Sequence, residues 1–286
     1  MNYSKIRMGG VPEHFNLPIH LAHELNEFET RGIEIEWTTF RGGTGQMTKA
    51  LRNDDVDVCI LLTEGIIADI IKGNPSRIIS NYVTTPLTWG IYTGAKNSLQ
   101  SYKDVFEKKY GISRFGSGSH LMAIVDANSK SHRLEEDQFE VIKNLDGAIE
   151  SLTNLETDVF YWEKYTTKPY VDAKILKKVG EYVTPWSCFV VAATDKILEE
   201  QPENIIRLLR TIHDRCDKFM QNENAVKMVS DRYKLKEIDV ERWYHSTEWA
   251  IHGWVSDKMV KSIIYHLRLA SIIKNNEVIP KIIWKR

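Results

Sequence analysis

The 286-residue chain has three cysteines, Cys59, Cys188 and Cys216. They are odd in number and far apart, with no C-x-x-C spacing, which argues against a disulfide framework or a structural zinc site. His20 and His23 have no second ligand pair at zinc spacing, so no metal site is expected. No run reaches the roughly 18 apolar residues of a membrane span, so membrane insertion is not expected. Neither glycine/serine turn is followed by the Gly-Lys-Ser/Thr of a phosphate-binding loop, and neither has the G-x-G-x-x-G spacing of a dinucleotide site. A G-x-S-x-G elbow for a nucleophilic serine is also missing, and no catalytic residue or cofactor is assigned. A formal net charge of −1 argues against a dedicated nucleic-acid binder.

The rest of the composition is that of an ordinary globular protein, 42% hydrophobic and 27% charged. Eight Trp and twelve Tyr supply flat amphipathic surface for cores and binding sites. No charged, apolar and cleavage regions of an export signal precede the first strand. If Met1 is the native start, a cytoplasmic protein is expected. If an export signal was removed, a periplasmic or lipid-anchored protein is expected, with an ABC permease as a partner.

The organising stretch is Arg41-Gly42-Gly43-Thr44-Gly45-Gln46, between strand-like runs at 33–40 and 56–62. A strand, a glycine-rich turn and a helix N-terminus form a ready site for a polar or anionic group, with Thr44 placed to cap the helix. Upstream, Lys5 to Gly10 reads as a strand and residues 17–28 as an amphipathic helix. Thr63-Glu64-Gly65 leads into a helix at 66–72, and residues 77–82 and 87–92 read as two more strands. This β-α-β-α-β rhythm predicts a parallel sheet covered by helices. The pattern restarts near residue 95. Helices are expected at 101–109, 121–128 and 146–152, and strands at 111–115, 139–142, 157–161 and 186–193. Gly116-Ser117-Gly118-Ser119-His120 repeats the turn that opens a helix. Beyond residue 195 the spacing predicts helices at 197–221, 223–233, 240–252 and 257–273, then an apolar tail at 278–284.

Two α/β halves in this order, finished by a helical tail, resemble the type II periplasmic-binding-protein fold. The motifs are similar to one branch, the solute-binding proteins for pyrimidine precursors of thiamine, nitrate, taurine and alkanesulfonates. Gly43-Thr44-Gly45 through Asp57-Val58 resembles that branch's Gly-Ser/Thr turn, helix and Asp-Val strand. Gly116 to His120 resembles its second Gly-Ser turn. Asp158-Val159-Phe160-Tyr161-Trp162-Glu163-Lys164-Tyr165 resembles its Asp-Ala…Trp-Glu-Pro-Tyr stretch, departing from it at Val159 and Lys164. Val191-Ala192-Ala193 with Gln201-Pro202-Glu203-Asn204 resembles its return strand and helix entry.

The resemblance implies two lobes, residues 1–90 with 192–286 and residues 91–191, closing on a small molecule in a cleft. Ligand contacts are expected from Glu13, His14, Gly43, Thr44 and Glu64, and from Trp89, Ser117, Ser119, His120, Trp162 and Glu163. Acidic and flat residues dominate this set, which favours a neutral or weakly basic heterocycle such as an aminopyrimidine over a small anion. Competing readings place Trp162 in a core, Glu64 as a helix-dipole partner, and at least one of Ser117, Ser119 and His120 as only a helix cap. Enzymes on this fold, of the thiamine-pyrimidine or menaquinone-route type, and a ligand-sensing protein are the alternatives. The lysine-containing cofactor segment and cysteine cluster of the pyrimidine synthases are not found here.

Overall fold

The computed structural model describes residues 3–285; Met1, Asn2 and Arg286, at the ends of the expected first lobe, lie outside them. The chain forms two compact units. The first comprises Met1–Thr85, Trp186–Tyr265 and Ile273–Arg286, and the second Pro86–Pro185 with His266–Ile272.

In the first unit, β1 (Ser4–Gly10) leads through a 3-10 turn at His14–Asn16 to α1 (Leu17–Glu24). Then follow β2 (Ile33–Thr39), α2 (Gly43–Arg52), β3 (Val58–Leu62), α3 (Thr63–Ile71) and the start of β4 (Ser76–Gly94). β1 pairs in parallel with β2 and β3. The alternation Ile33-Glu34-Ile35-Glu36 sends the isoleucines inward and the glutamates to solvent. In the second unit come β5 (Tyr110–Ile112), α4 (Gly118–Ser129), β6 (Phe139–Val141), α5 (Leu145–Thr153), β7 (Val159–Glu163) and α6 (Lys164–Asp172). β5 pairs in parallel with β6 and β7. β8 (Leu176–Thr194) leads back to the first unit, followed by α7 (Asp195–Glu200), α8 (Pro202–Met220), α9 (Ala225–Tyr233), α10 (Glu237–His245) and α11 (Asp257–Leu269).

The expected all-parallel sheet is corrected by the two long strands. The end of β8 pairs antiparallel with β3, from Val58↔Ala193 to Leu62↔Phe189. β4 pairs antiparallel with β7, from Trp89↔Glu163 to Tyr92↔Phe160. α3 leads into β4 and α6 into β8, but each of these 19-residue strands runs antiparallel to a strand distant in the chain instead of parallel to the one before its helix. The two strands expected at 77–82 and 87–92 are one, with Pro86 exposed inside a continuous extended backbone that its fixed φ suits. The helix expected at 101–109 is a short 3-10 turn, Tyr102–Glu107. The single helix expected over 197–221 breaks at Gln201, and Pro202 starts α8 where its missing N–H costs nothing. α6 had no counterpart in the sequence reading. The apolar tail clamps β4: Ile78 N–H donates to Ile282 and Trp284 N–H to Ile78, each at 2.9 Å.

One local device occurs in both units. Asp57 and Arg7 clasp each other's backbones at the start of β3. Asp57 N–H donates to the Arg7 carbonyl at 2.8 Å, and Arg7 N–H donates to Asp57 Oδ2 at 2.7 Å. In the second unit Asp158 N–H donates to the Lys109 carbonyl at 2.8 Å, and Lys109 N–H to Asp158 Oδ2 at 3.2 Å. The Asp-Val motifs thus align neighbouring parallel strands. The Arg7 guanidinium adds bonds to both Asp57 oxygens, which push its own pKa upward.

Tyr92, Ile142, Ala148, Leu152, Phe160 and Leu176 form a core cluster of the second unit. Gly94 sits against the α5 backbone, where an added Cβ would lie 2.2 Å from the Leu152 carbonyl oxygen. Because backbone atoms cannot step aside, Gly94→Ala is expected to destabilise the protein by about 1–3 kcal/mol. Urea unfolding followed by circular dichroism measures this, and an unchanged midpoint would contradict the tight packing.

Candidate functional site

In the first unit, three strand ends deliver turns and helix starts to one region. β1 ends in Gly9-Gly10, where side chains are excluded: a Cβ on Gly9 would lie 2.3 Å from the Phe40 ring, and one on Gly10 would lie 2.7 Å from Asn16 Nδ2. The chain then turns into Glu13 and His14. β2 leads to the glycine turn and α2, and β3 runs directly into α3.

Thr44 does not cap α2. Gly42 holds the N-cap position with no side chain of its own to cap with, its N–H donating to Gln46 Oε1 at 3.0 Å, and Gly43, at φ 65°, needs the freedom of glycine. The Thr44 hydroxyl instead accepts from Leu62 N–H at 3.2 Å. Its methyl group fills the space beside Gly65, where a Cβ would lie 2.4 Å away. The starts of α2 and α3 therefore touch, and neither is capped by a side chain. Among the described residues five other α-helices are capped in this way: α4 by Ser117, α5 by Asn144, α6 by Glu163, α7 by Thr194 and α11 by Ser256.

Glu64 lies in the first turn of α3 and is 2% exposed. Its Oε2 accepts the indole N–H of Trp186 at 2.9 Å. Its Oε1 is buried without a hydrogen-bond partner. Burial raises the carboxyl pKa to about 7, opposed by the Trp186 bond and a bond from its own backbone. The result is a carboxyl group with one fixed and one free oxygen, poised to change charge near neutrality.

His14 is packed rather than poised. Its ring lies 4.2 Å from that of Trp243, edge to face, and stacks on Phe15 at 5.0 Å. Burial lowers its pKa to about 3, so it is neutral at physiological pH, and its Nε2 is buried without a partner. Glu13 is half-buried before the same turn.

In the second unit, Ser117 caps α4, accepting from His120 N–H at 3.3 Å, and its hydroxyl lies 3.0 Å from that of Ser119. Ser119 also accepts from Ser113 N–H at 3.1 Å. His120 Nδ1 accepts from Gly116 N–H at 3.0 Å, which leaves the proton of the neutral ring on Nε2. Burial lowers the His120 pKa to about 4. Trp162 stacks on Phe160 with centroids 5.2 Å apart, and its indole N–H is buried without a partner. Glu163 caps α6: its Oε2 accepts from Tyr165 N–H, Thr166 N–H and the Thr166 hydroxyl at 2.9, 2.6 and 2.8 Å. Burial raises its pKa against these bonds. Trp89 is buried and donates to the Thr184 hydroxyl at 2.8 Å.

The structure thus gathers Thr44 and Glu64 around two touching helix starts, and gathers Ser117, Ser119 and His120 at the start of α4. Trp186 and Gly65 were missed. Trp186 is 122 residues from the carboxyl it holds, and no local spacing signals that pairing.

Residues 89–182 match a family model described as Ca3427-like PBP. A crystal structure of the Candida albicans CA3427 gene product, described as having the generic periplasmic binding protein fold, superposes with a TM-score of 0.89 at 26% identity, covering 96% of this chain and 92% of that one. The chain has the type II periplasmic-binding-protein fold. The alkanesulfonate-binding protein SsuA of Xanthomonas axonopodis pv. citri, bound to MOPS, shares the fold at TM-score 0.81 and 12% identity, covering 98% of this chain and 97% of that one. The nitrate-binding protein NrtA of Synechocystis PCC 6803 shares it at TM-score 0.73 and 14% identity, covering 96% of this chain and 83% of that one. No curated protein matches significantly in sequence. Among the described residues, no helix is long and apolar enough to cross a membrane.

Two outcomes follow from the carboxyl geometries. Glu64 binds more protons folded than unfolded between pH 4.5 and about 7, because its folded pKa is the higher. Its contribution is fully present below pH 4.5 and is lost as pH rises through about 7, a cost on the order of 3 kcal/mol at alkaline pH. Glu64→Gln should therefore gain stability relative to wild type on going from pH 5 to pH 8.5, read as the difference in urea midpoints; parallel pH profiles would refute this. Glu163→Ala removes the α6 cap and should cost about 1 kcal/mol at neutral pH in the same assay. An unchanged midpoint would show that the cap bonds carry no net stability.

Proposed function

We propose that the chain is a solute-binding protein for a small polar heterocycle of the aminopyrimidine type. The observation that carries this reading is the free oxygen of Glu64 beside the uncapped starts of α2 and α3. Helix N-terminal N–H groups are donors, suited to a ring nitrogen or another acceptor. The adjacent carboxyl oxygen is an acceptor, suited to an amine. An aminopyrimidine edge carries both functions side by side. No cation contributes to the Glu64 shift, so nothing at this carboxyl offsets the charge of a small anion.

The fold supports ligand binding as such, and the named functions of SsuA and NrtA place small polar ligands on the same scaffold. In this reading Gly43 and Thr44 lie at the helix starts beside Glu64, and Glu13 and His14 remain contacts assigned by the resemblance. Trp89, Ser117, Ser119, His120, Trp162 and Glu163 remain contacts assigned by the resemblance. With an export signal upstream, the partner is an ABC permease; without one, the same chemistry serves a cytoplasmic binding or sensing role.

The test is a thermal-shift screen with 4-aminopyrimidine and its alkylated relatives against nitrate, taurine and MOPS, followed by calorimetry. A pyrimidine is expected to stabilise the wild type, and Glu64→Ala should weaken its binding by about 1.5–3 kcal/mol, the range for a hydrogen bond to a charged group. Stabilisation by anions alone, indifferent to Glu64→Ala, would overturn the ligand assignment. Consumption of a compound on incubation with a metabolite extract would replace the binding reading with an enzymatic one.

A further inference from the structure

The two oxygens of Glu64 are not equivalent. Oε2 is committed as an acceptor to the Trp186 indole N–H, which has no acceptor capacity of its own. When the carboxyl is protonated, the proton therefore resides on Oε1, the oxygen without a partner. The same atom then presents O–H to whatever approaches, and when the carboxyl ionises it presents a bare acceptor.

We infer that Glu64 Oε1 is a donor–acceptor switch for the ligand, so that ligands offering N–H bind the ionised protein and ligands offering an acceptor or anionic oxygen bind the protonated one. The inference rests on the solute-binding reading above and adds its regulation. The surroundings favour such a switch. α2 brings Thr44, whose hydroxyl is already engaged with Leu62, and β8 brings Trp186 with the Ser187 carbonyl, which accepts from Thr63. The charged groups of α2 and α3 are Lys49, Arg52 and Asp69. Arg52 and Asp69 pair with each other at 3.0 Å, and none of the three contributes to the Glu64 shift. Arg41, in the turn before α2, is exposed and makes no contribution either. The proton affinity of Glu64 is set by burial, and a ligand group placed on Oε1 becomes its strongest electrostatic neighbour. A pKa of about 7 places the changeover within the physiological range.

The sign of the pH effect then reports the class of ligand. An N–H donor such as 4-aminopyrimidine should bind about tenfold more weakly at pH 6 than at pH 8, with a proton released on binding near neutrality. An acceptor with no titrating group of its own near neutrality, such as nitrate, should show the opposite trend, with proton uptake. The experiment is isothermal titration calorimetry of the full chain with these probes at pH 6 and 8. Titrations in phosphate and in Tris, whose ionisation heats differ, reveal the proton exchange. Glu64→Gln is run in parallel, and [15N]Trp spectra follow the Trp186 indole signal through pH.

Buffer-dependent heat and a pH trend that vanish in Glu64→Gln would support the switch. A probe that binds without proton exchange, or with the same pH trend in Glu64→Gln, would overturn it while leaving the solute-binding reading intact. If no probe binds, the solute-binding reading loses its ligand class and the indole signal decides the switch. A shift with a midpoint near pH 7, absent in Glu64→Gln, keeps the titrating carboxyl, and a flat signal removes it.

Discussion

The antiparallel pairing of β3 with the end of β8 is the constraint on which the first unit and its candidate site depend. β3 is only five residues long, and its parallel ladder with β1 is short. Its partner arrives more than a hundred residues later, after the whole of β4 through β7 has been laid down. The register Leu62↔Phe189 brings the start of that returning segment to α3, where Trp186 meets Glu64. A one-residue slip would turn the side chains of β8 to the opposite face and leave the Glu64 carboxyl without its donor. The register also matches an apolar run, Cys188 to Ala193, to a fully buried strand, so core packing and site geometry are enforced by the same ladder.

The two units use common parts for different ends. Each opens its Asp-Val strand with an aspartate that clasps the backbone of the neighbouring parallel strand, Asp57 on Arg7 and Asp158 on Lys109. Each follows its third βα turn with a glutamate, but the two glutamates do different work. Glu163 spends one oxygen on three donors at the start of α6, which satisfies orphan N–H groups of that helix. Glu64 spends one oxygen on a distant indole and keeps the other free, while the start of its helix stays uncapped by any side chain. The first arrangement closes a helix start. The second is incomplete in hydrogen-bond terms.

Much of this was legible in the sequence. The alternation at Ile33 to Glu36, the glycine turn at 42–45 and the Ser117 cap are local signals, with geometry fixed within a few residues. The fold followed from their order. Other features were not legible. Pro86 reads as a break, yet it sits inside a continuous β4, because whether a strand tolerates proline depends on which edge its N–H faces. Thr44 reads as a cap, yet packing against Gly65 and the Leu62 N–H claims its side chain. Of the three glutamates singled out, Glu163 carried the stronger motif and proved to be a helix cap. Glu64 gained its distinction only from Trp186, a partner that spacing cannot reveal.

A buried carboxyl with an unsatisfied oxygen is a cost that folding alone gives no reason to keep. The strands, turns and helices around Glu64 would hold equally well with an apolar residue of similar size, as they do at Ile66 and Ile67 one turn further along the same helix, both fully buried. The protein lessens the cost in two ways. It gives Oε2 a donor from Trp186, and it lets the group carry a proton up to neutral pH, so that no bare charge is stranded in apolar surroundings. Both remedies leave Oε1 untouched. Structural economy would have finished the job with one more donor. That the first unit does not, at a point where two helix starts also meet without side-chain caps, is the physical argument for reading Glu64 as a group whose missing partner comes from outside the chain.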